Sequence, residues 1–357
     1  MMKVGTFMMP LHPPEKDRTQ TFEEDTECIV LADELGFSEA WIGQHHTAAW
    51  EPIPSNDIFI ANLLPQTKNI RLGTGVTIIT QHHPANVAVR LAYLDHLAKG
   101  RLNVGFGQGG VPTDWGLFEL PDPGTQGLMT LEAIDIVLKL WQEEAPFEFK
   151  GDYWNVKIDR KVPELGLGEL LRPYQQPHPP IAMSIVKEES MAASTSGQRG
   201  FIPISINLAP AHKVKRQWEL YCEGAAEGGQ PEPDRSIWRI SRSIFVDESD
   251  EAAREHALNG PFAGSLMYLR GMLAIAGMLD LPKQDDKMPD EAVDAEYIID
   301  NIAIVGSVDT VTQKIQDLYD VTGGFGTVLM IAHDWDDKTK MRRSMELMAK
   351  EVIPQLP

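Results

Sequence analysis

Eight short apolar runs, each able to form a β-strand, alternate with longer segments of helical period along the 357 residues. This alternation is typical of βα units arranged around a parallel sheet. The predicted strands cover residues 3–8, 39–42, 70–77, 102–106, 180–184, 201–206, 238–246 and 327–332. Eight is the strand number of a TIM barrel. The sequence therefore predicts the α/β class, with a single (β/α)8 TIM barrel.

Two segments are longer than ordinary connections between a strand and a helix. They cover residues 112–127 and residues 259–300. Long excursions from a barrel usually serve as lids or as interfaces. We therefore expect one barrel domain over residues 1–357, with lid or interface insertions near these two segments.

Charge and composition exclude several classes of protein. The net charge of −20 would repel a phosphate backbone, and no block of Lys or Arg offers a local exception, so nucleic-acid binding is not expected. No apolar stretch is long enough to span a bilayer. Only two cysteines occur, which argues against a disulfide framework and favours a reducing, cytoplasmic location.

Histidines follow three of the predicted strands. His45 comes after the second strand, His83 after the third and His333 after the eighth. In a TIM barrel these strand ends form one rim, where reactive groups lie. No spacing typical of metal ligands accompanies the histidines, so no metal site is expected. A single histidine is more often a core or surface residue, but the shared placement favours His45 first and the other two less strongly.

Two segments could hold a phosphate. Residues 105–110 (GFGQGG) match a loose G-x-G-x-x-G, but they follow the fourth strand, and residues 111–115 are predicted to continue as a loop rather than open a helix. Close approach of the backbone to a flat ligand explains the glycines equally well. Residues 184–190 precede a predicted helix whose N-terminus could bind an anion, although ordinary N-capping is the simpler explanation.

Several motifs together resemble the bacterial luciferase-like flavin monooxygenases. They are residues 41–46 (WIGQHH), 72–76 (LGTGV), 82–84 (HHP) and 100–105 (GRLNVG). Further matches at 173–177, 239–242, 305–307 and 323–326 extend the likeness over nearly the whole chain. Residues 111–114 (VPTD) and 332–335 (AHDW) are most similar to the limonene-monooxygenase-like branch of this family.

The resemblance implies a TIM barrel that binds reduced FMN at its rim, with His45 at the position of the catalytic histidine. Gly75 and Val76 match the place of a non-prolyl cis peptide beneath the flavin, while Gly107 and Gln108 replace a cysteine and an arginine of luciferase, which argues against light emission. The candidate cofactor-binding residues are Gly75, Val76, Gly107, Gln108, Asp114, Ser184, Ile185 and Val186. The candidate substrate-binding residues are His83, Trp115, His333 and Trp335.

The resemblance also implies a two-component reaction. A separate flavin reductase supplies reduced FMN, O2 adds to it as a C4a-hydroperoxide, and one oxygen atom passes to a small apolar substrate. A homo-oligomer, with a dimer favoured, is expected. Two alternatives stay open: a deazaflavin-dependent dehydrogenase on the same fold, which no short motif excludes, and a flavin-binding protein without catalytic activity.

Overall fold

Eight parallel strands close into a barrel in the computed structural model, which describes residues 2–357. The strands of the chain are β1 Lys3–Leu11, β2 Glu39–Ile42, β3 Arg71–Ile78, β4 Leu102–Gly107, β5 Phe147–Lys150, β6 Asn155–Ile158, β7 Ile181–Ile185, β8 Ile202–Ser205, β9 Arg239–Arg242, β10 Ile244–Val246, β11 Ile304–Gly306 and β12 Thr327–His333. Around the barrel the order is β1-β2-β3-β4-β7-β8-β9-β12. Each of the eight predicted strands corresponds to one barrel strand, so the predicted fold class is confirmed.

Helices surround the barrel and link its strands. They are α1 Arg18–Glu34, α2 Asn56–Leu63, α3 Pro84–Ala98, α4 Pro112–Leu117, α5 Pro123–Gln142, α6 Met191–Arg199, α7 Ala211–Glu227, α8 Asp250–Asn259, α9 Pro261–Ile275, α10 Ala295–Asn301, α11 Val308–Thr322 and α12 Lys338–Leu347. Local sequence determines where several helices begin. Asp17, Ser249 and Ser307 are the N-caps of α1, α8 and α11, and their side-chain oxygens accept hydrogen bonds from N–H groups of the first turn. Within the described residues, no helix is both long and apolar enough to cross a bilayer.

An ion pair lies inside the base of the barrel, where its strands begin. Glu39 accepts two hydrogen bonds from the guanidinium of Arg239, at 2.9 and 3.0 Å, and a third from the indole of Trp41 at 2.9 Å. Glu39 is almost completely buried. A buried carboxylate is tolerated when it is paired and hydrogen-bonded in this way. The pair therefore connects β2 to β9, which β1 and β12 separate in the barrel.

Two local predictions were wrong. The predicted strand 238–246 is two strands, because Ser243 bonds to the side chain of Asn207 and the chain then leaves the barrel, so that β10 pairs with β11 instead. Residues 111–115 do not continue as a loop, since Pro112 begins α4. Proline suits the first turn of a helix because its missing N–H would have no partner there.

The two predicted insertions are mostly helical. Residues 112–127 form α4 and the first turn of α5, and the antiparallel hairpin of β5 and β6 follows before the chain returns to the barrel at β7. Residues 259–300 form α9 and most of α10. Helix α9 packs on the barrel, where the rings of Phe262 and His333 are in contact, with centroids 4.1 Å apart and an angle of 32° between the planes.

Candidate active site at the barrel rim

Most of the predicted site residues lie on four consecutive strands of the barrel. His45 follows β2, Gly75 and Val76 lie in β3, Gly107 ends β4, and Ser184 lies in β7. The barrel order places β2, β3, β4 and β7 side by side. The register pairs Phe106 with Met183, so that the next residues, Gly107 and Ser184, come level. These side chains therefore share one sector of the rim.

The peptide bond between Gly75 and Val76 is cis, as the resemblance implies. Asn56, at the start of α2, donates its side-chain amide to the carbonyl of Val76 at 3.0 Å and to that of Ile42 at 3.2 Å. This buried asparagine thereby ties the end of β2 to the cis peptide of β3. Sequence reasoning did not identify Asn56, because nothing in its spacing distinguishes it from an ordinary first-turn residue.

Glycines keep the surface beside this peptide flat. A Cβ on Gly107 would lie 2.6 Å from Cγ2 of Val76, and a Cβ on Gly109 would lie 2.9 Å from Cγ2 of Ile78. Gly109 also has a positive φ of 83°. Only glycine fits such positions without a shift of the neighbour or backbone strain. The ends of β3 and β4 thus form a smooth surface on which a planar ligand can lie.

His45 lies between two buried carboxylates. Its Nδ1 is 3.5 Å from Oδ2 of Asp114, and its Nε2 is 3.5 Å from Oε2 of Glu51. Burial by itself lowers the pKa of His45, but the negative charges of Glu51 and Asp114 outweigh burial and raise the pKa above its usual value. The two carboxylates therefore favour the protonated form of this imidazole more than water favours that of a free histidine.

Asp114 holds the loop that carries His45. Its carboxylate accepts hydrogen bonds from the backbone N–H of Thr47 at 2.8 Å, from that of His46 at 3.2 Å, and from the hydroxyl of Thr47 at 2.5 Å. Burial opposes ionisation, but His45, Thr47 and His46 together lower the pKa of Asp114 to about 2. The sequence-based expectation placed Asp114 against the cofactor. The structure places its oxygens against residues 45–47, where they position His45.

Glu51 and Tyr268 complete this arrangement, and sequence reasoning missed both. The hydroxyl of Tyr268 donates to Oε1 of Glu51 at 2.9 Å. Tyr268 lies in α9, 217 positions from Glu51 along the chain. No local motif can reveal a pair at this separation, although a carboxylate six residues after a candidate catalytic histidine is a signal that could have drawn attention to Glu51.

Besides Nδ1 of His45, which faces Asp114, four buried polar atoms in this sector have no hydrogen-bond partner among the described residues. They are Nε2 of Gln44, Oγ1 of Thr77, Nε2 of Gln81 and Nε1 of Trp115. Buried polar atoms are rarely left unpaired in proteins. Together with the flat glycine surface, these atoms fit a ligand that is planar and carries polar groups along its edge, as an isoalloxazine ring does.

The connection from β7 to α6 also borders this sector of the rim. Ser184 and Val186 are half-buried, whereas the side chain of Ile185 is fully buried and its carbonyl accepts from the N–H of Ile206 at 3.0 Å. Helix α6 begins after Ser190, whose side chain makes no capping bond. Gln108 is half-buried beside β4, and its carbonyl accepts from Thr80 at 3.2 Å.

The structure does not bring the two candidate substrate histidines to this sector. His83 is exposed and caps α3, where its Nδ1 accepts from Ala85 at 3.3 Å. His333 is buried, with both ring nitrogens bonded to Ser265 and Ser243 at 2.8 and 2.9 Å, and burial lowers its pKa to about 3. The rings of His83 and His333 thus turn to surroundings different from those of His45, although all three residues follow or end barrel strands.

The two tryptophan candidates also separate. Trp335 is buried beside a small cavity that Cys28 and Met341 also line, between the barrel and helices α1 and α12. This location is behind the barrel wall rather than at the mouth. Trp115 is half-buried on α4, directly after Asp114, so that it alone of the two stays next to the His45 loop.

One other cluster has the residue types of a metal site. His12, Glu24 and Asp334 bring ligand atoms within 4.8 Å of one another. The ammonium of Lys16 already lies between the two acids, 2.5 Å from Glu24 and 2.7 Å from Asp334. Burial lowers the pKa of His12, but the contacts with Asp25 and Asp334 raise it to about 9. Two positive side chains therefore balance the acidic groups of this cluster.

Comparison with known proteins identifies the family. The model of the luciferase-like monooxygenases matches residues 2–324. A 4-hydroxyprotoasukamycin monooxygenase from Streptomyces nodosus subsp. asukaensis is 33% identical over 98% of this chain and 91% of its own length. Limonene 1,2-monooxygenase from Rhodococcus erythropolis is 29% identical over 98% of this chain and 85% of its own length.

Solved structures agree with this assignment. The oxygenating constituent of 3,6-diketocamphane monooxygenase from Pseudomonas putida, a type II Baeyer-Villiger monooxygenase solved in complex with FMN, superposes with a TM-score of 0.92 at 32% identity over 100% of both chains. An F420-dependent secondary alcohol dehydrogenase superposes at 0.71 with 21% identity, over 100% of this chain and 99% of its own, a likeness of fold alone. The chain belongs to the luciferase-like monooxygenase family, as its motifs predict.

Proposed function

We propose that this protein is a flavin-dependent monooxygenase that uses reduced FMN and O2 to oxygenate a small apolar organic substrate. The observation that carries the proposal is the meeting, in one sector of the rim, of the flat glycine surface, the unpaired polar atoms and His45 between two carboxylates. The FMN complex of the diketocamphane relative supports the choice of cofactor.

The residues of the sector have three proposed roles. Val76, with Gly75 and Gly107, receives the flavin ring, and the half-buried Gln108 borders it. Ser184 and Val186, with the uncapped first turn of α6, face the phosphate end, because helix N-termini favour anions. Ile185 supports this segment from the core. Trp115 borders the substrate side, where an apolar surface excludes water.

When bound, reduced FMN supplies the electrons with which O2 is activated for oxygen transfer. The protein's own contribution to the chemistry is the proton held on His45. Asp114, ionised at neutral pH because its pKa is about 2, holds the Nδ1 side of the ring, and Glu51 faces Nε2. A protonated imidazole in this position donates a proton to an oxygen atom that gains negative charge.

A separate flavin reductase is the proposed partner, because the diketocamphane relative is described as the oxygenating constituent of its enzyme. Supply of reduced FMN by diffusion has a consequence for affinity, since the protein must accept the reduced form and release the oxidised form. A deazaflavin-dependent dehydrogenase is the alternative on this fold. Such an enzyme transfers hydride and does not consume O2, so that oxygen dependence separates the two.

We expect reduced FMN to bind at least about tenfold more tightly than oxidised FMN in anaerobic titrations.

Gly107→Leu should weaken binding of reduced FMN by at least about tenfold, because a side chain there collides with Val76 and disrupts the flat surface. Gly110→Leu is the matched control, since a Cβ on this exposed glycine of the same loop meets nothing within 4 Å. Equal affinities for the two flavins, or equal effects of the two substitutions, would contradict the proposed site.

We further propose a homodimer formed through α2 and α3. Val89, Tyr93 and Leu97 recur every four residues on α3 and are 40%, 58% and 45% exposed, and Ile58 on the neighbouring α2 is 71% exposed. Contiguous apolar residues of this kind on a surface usually mark an interface. Light scattering that gives the mass of one chain at micromolar concentration would contradict the dimer.

A further inference from the structure

Helix α9, in the second insertion, lies directly against the loop that carries His45. The indole of Trp50, five residues after His45, stacks on the ring of Tyr268 with centroids 5.6 Å apart and an angle of 19° between the planes. One helical turn earlier, a Cβ on Gly264 would lie 3.1 Å from Cη2 of Trp50. The Gly264 and Tyr268 face of α9 is therefore fitted closely to this loop.

The same helix reaches the imidazole through one intermediate. Tyr268 donates to Oε1 of Glu51 at 2.9 Å, and Oε2 of Glu51 lies 3.5 Å from Nε2 of His45. Glu51 is only 3% exposed, so water has little access to it. Its carboxylate thus has one oxygen fixed by the insertion and the other directed to His45.

This arrangement has an electrostatic consequence. A hydrogen bond donated to a carboxylate favours its ionised form, and an ionised carboxylate favours the protonated form of a facing imidazole. The charged groups that face His45 are Glu51 on the Nε2 side and Asp114 on the Nδ1 side. Asp114 is already held by residues 46 and 47, whereas the orientation of Glu51 depends on Tyr268.

We propose that Glu51 and Tyr268 are positioning residues that set the proton on His45, so that α9 forms part of the active site as well as covering it. This inference rests on the proposed role of His45 in oxygen transfer. It predicts that changes at Glu51 or Tyr268 alter the protonation of His45 in the protein without flavin, before any reaction occurs.

The test is a titration of the His45 ring by NMR in flavin-free protein, with its resonance assigned by comparison with His45→Gln. Glu51→Gln keeps an acceptor for Tyr268 but removes the charge, and we expect the titration midpoint of His45 to move to lower pH by about one pH unit. Tyr268→Phe should move it in the same direction by a smaller amount. Tyr297→Phe is the control, because this tyrosine of the same insertion bonds to Pro282 and Gln284 instead.

A His45 midpoint that stays at its wild-type pH in Glu51→Gln overturns the proposal, as does a shift in Tyr297→Phe as large as that in Tyr268→Phe. If Tyr268→Phe does not fold, Glu51→Gln alone decides, since it preserves the shape and hydrogen bonding of the site. The titration needs no flavin or substrate. A protein that shows the shifts but does not bind FMN would therefore refute the proposed function, and only the control of the His45 proton by Glu51 and Tyr268 would stand.

Discussion

Replacing His45 with alanine is expected to lower product formation by about 10²- to 10⁴-fold, the usual loss when a positioned acid or base is removed. Binding of reduced FMN should change little, because a proton donor contributes little to ground-state affinity. Oxygen consumption should continue, and a larger share of the consumed oxygen should be released as hydrogen peroxide. Oxygen activation depends on the flavin, whereas productive transfer depends on the proton of His45.

Product, peroxide and the thermal midpoint need to be measured on the same preparation of His45→Ala. His96→Ala is the matched control, because His96 is an exposed histidine on α3 whose ring bonds to the carbonyl of Arg172, away from the His45 loop. If His45 served only to pack the loop, the variant would lose stability and keep its activity per folded molecule. Near-normal product yield from folded His45→Ala would remove His45 from the mechanism.

Arg239→Met is expected to destabilise the fold by about 3 to 5 kcal/mol, because it leaves the buried carboxylate of Glu39 without its bidentate partner. The methionine fills part of the space of the Arg239 side chain, so that the loss of stability arises mainly from the unpaired charge of Glu39. Adding Glu39→Gln should recover part of the stability, since no buried charge then remains. Urea denaturation followed by circular dichroism measures both changes.

Arg254→Met is the control for that experiment. Arg254 also forms a bidentate ion pair, with Asp300 at 3.2 and 3.1 Å, but at the protein surface. Exposed ion pairs contribute little to stability because water and salt screen them. Equal losses from Arg239→Met and Arg254→Met would show that the base of the barrel does not depend on the buried pair.

The fold could be predicted from the sequence because each barrel strand is a short apolar run between segments of helical period. The prediction failed at residues 238–246 (WRISRSIFV), where the strand-like pattern continues while the chain moves from the barrel to a different partner, β11. The apolar residues of a strand indicate that the strand is buried. They do not indicate which other strand it pairs with.

The candidate site could be predicted only in part. His45, Gly75, Val76 and Gly107 share a sector because strand order alone brings their strand ends together. His333 occupies an equivalent position on β12, but its ring turns to Ser243 and Ser265, and side-chain direction does not follow from the end of a strand. Tyr268 was missed because its contact with Glu51 depends on how α9 folds back over the rim.

Isotopic labelling tests the proposed monooxygenase activity most directly. The protein is supplied with FMN, NADH and a flavin reductase under 18O2, and a panel of cyclic ketones and cyclic hydrocarbons is screened by mass spectrometry. We expect a product whose one inserted oxygen atom is 18O from O2 and does not come from labelled water in the reciprocal experiment, with formation strictly dependent on reduced FMN. Peroxide as the sole product across the panel, or oxidation of an alcohol under anaerobic conditions with deazaflavin in place of FMN, would contradict the proposed activity.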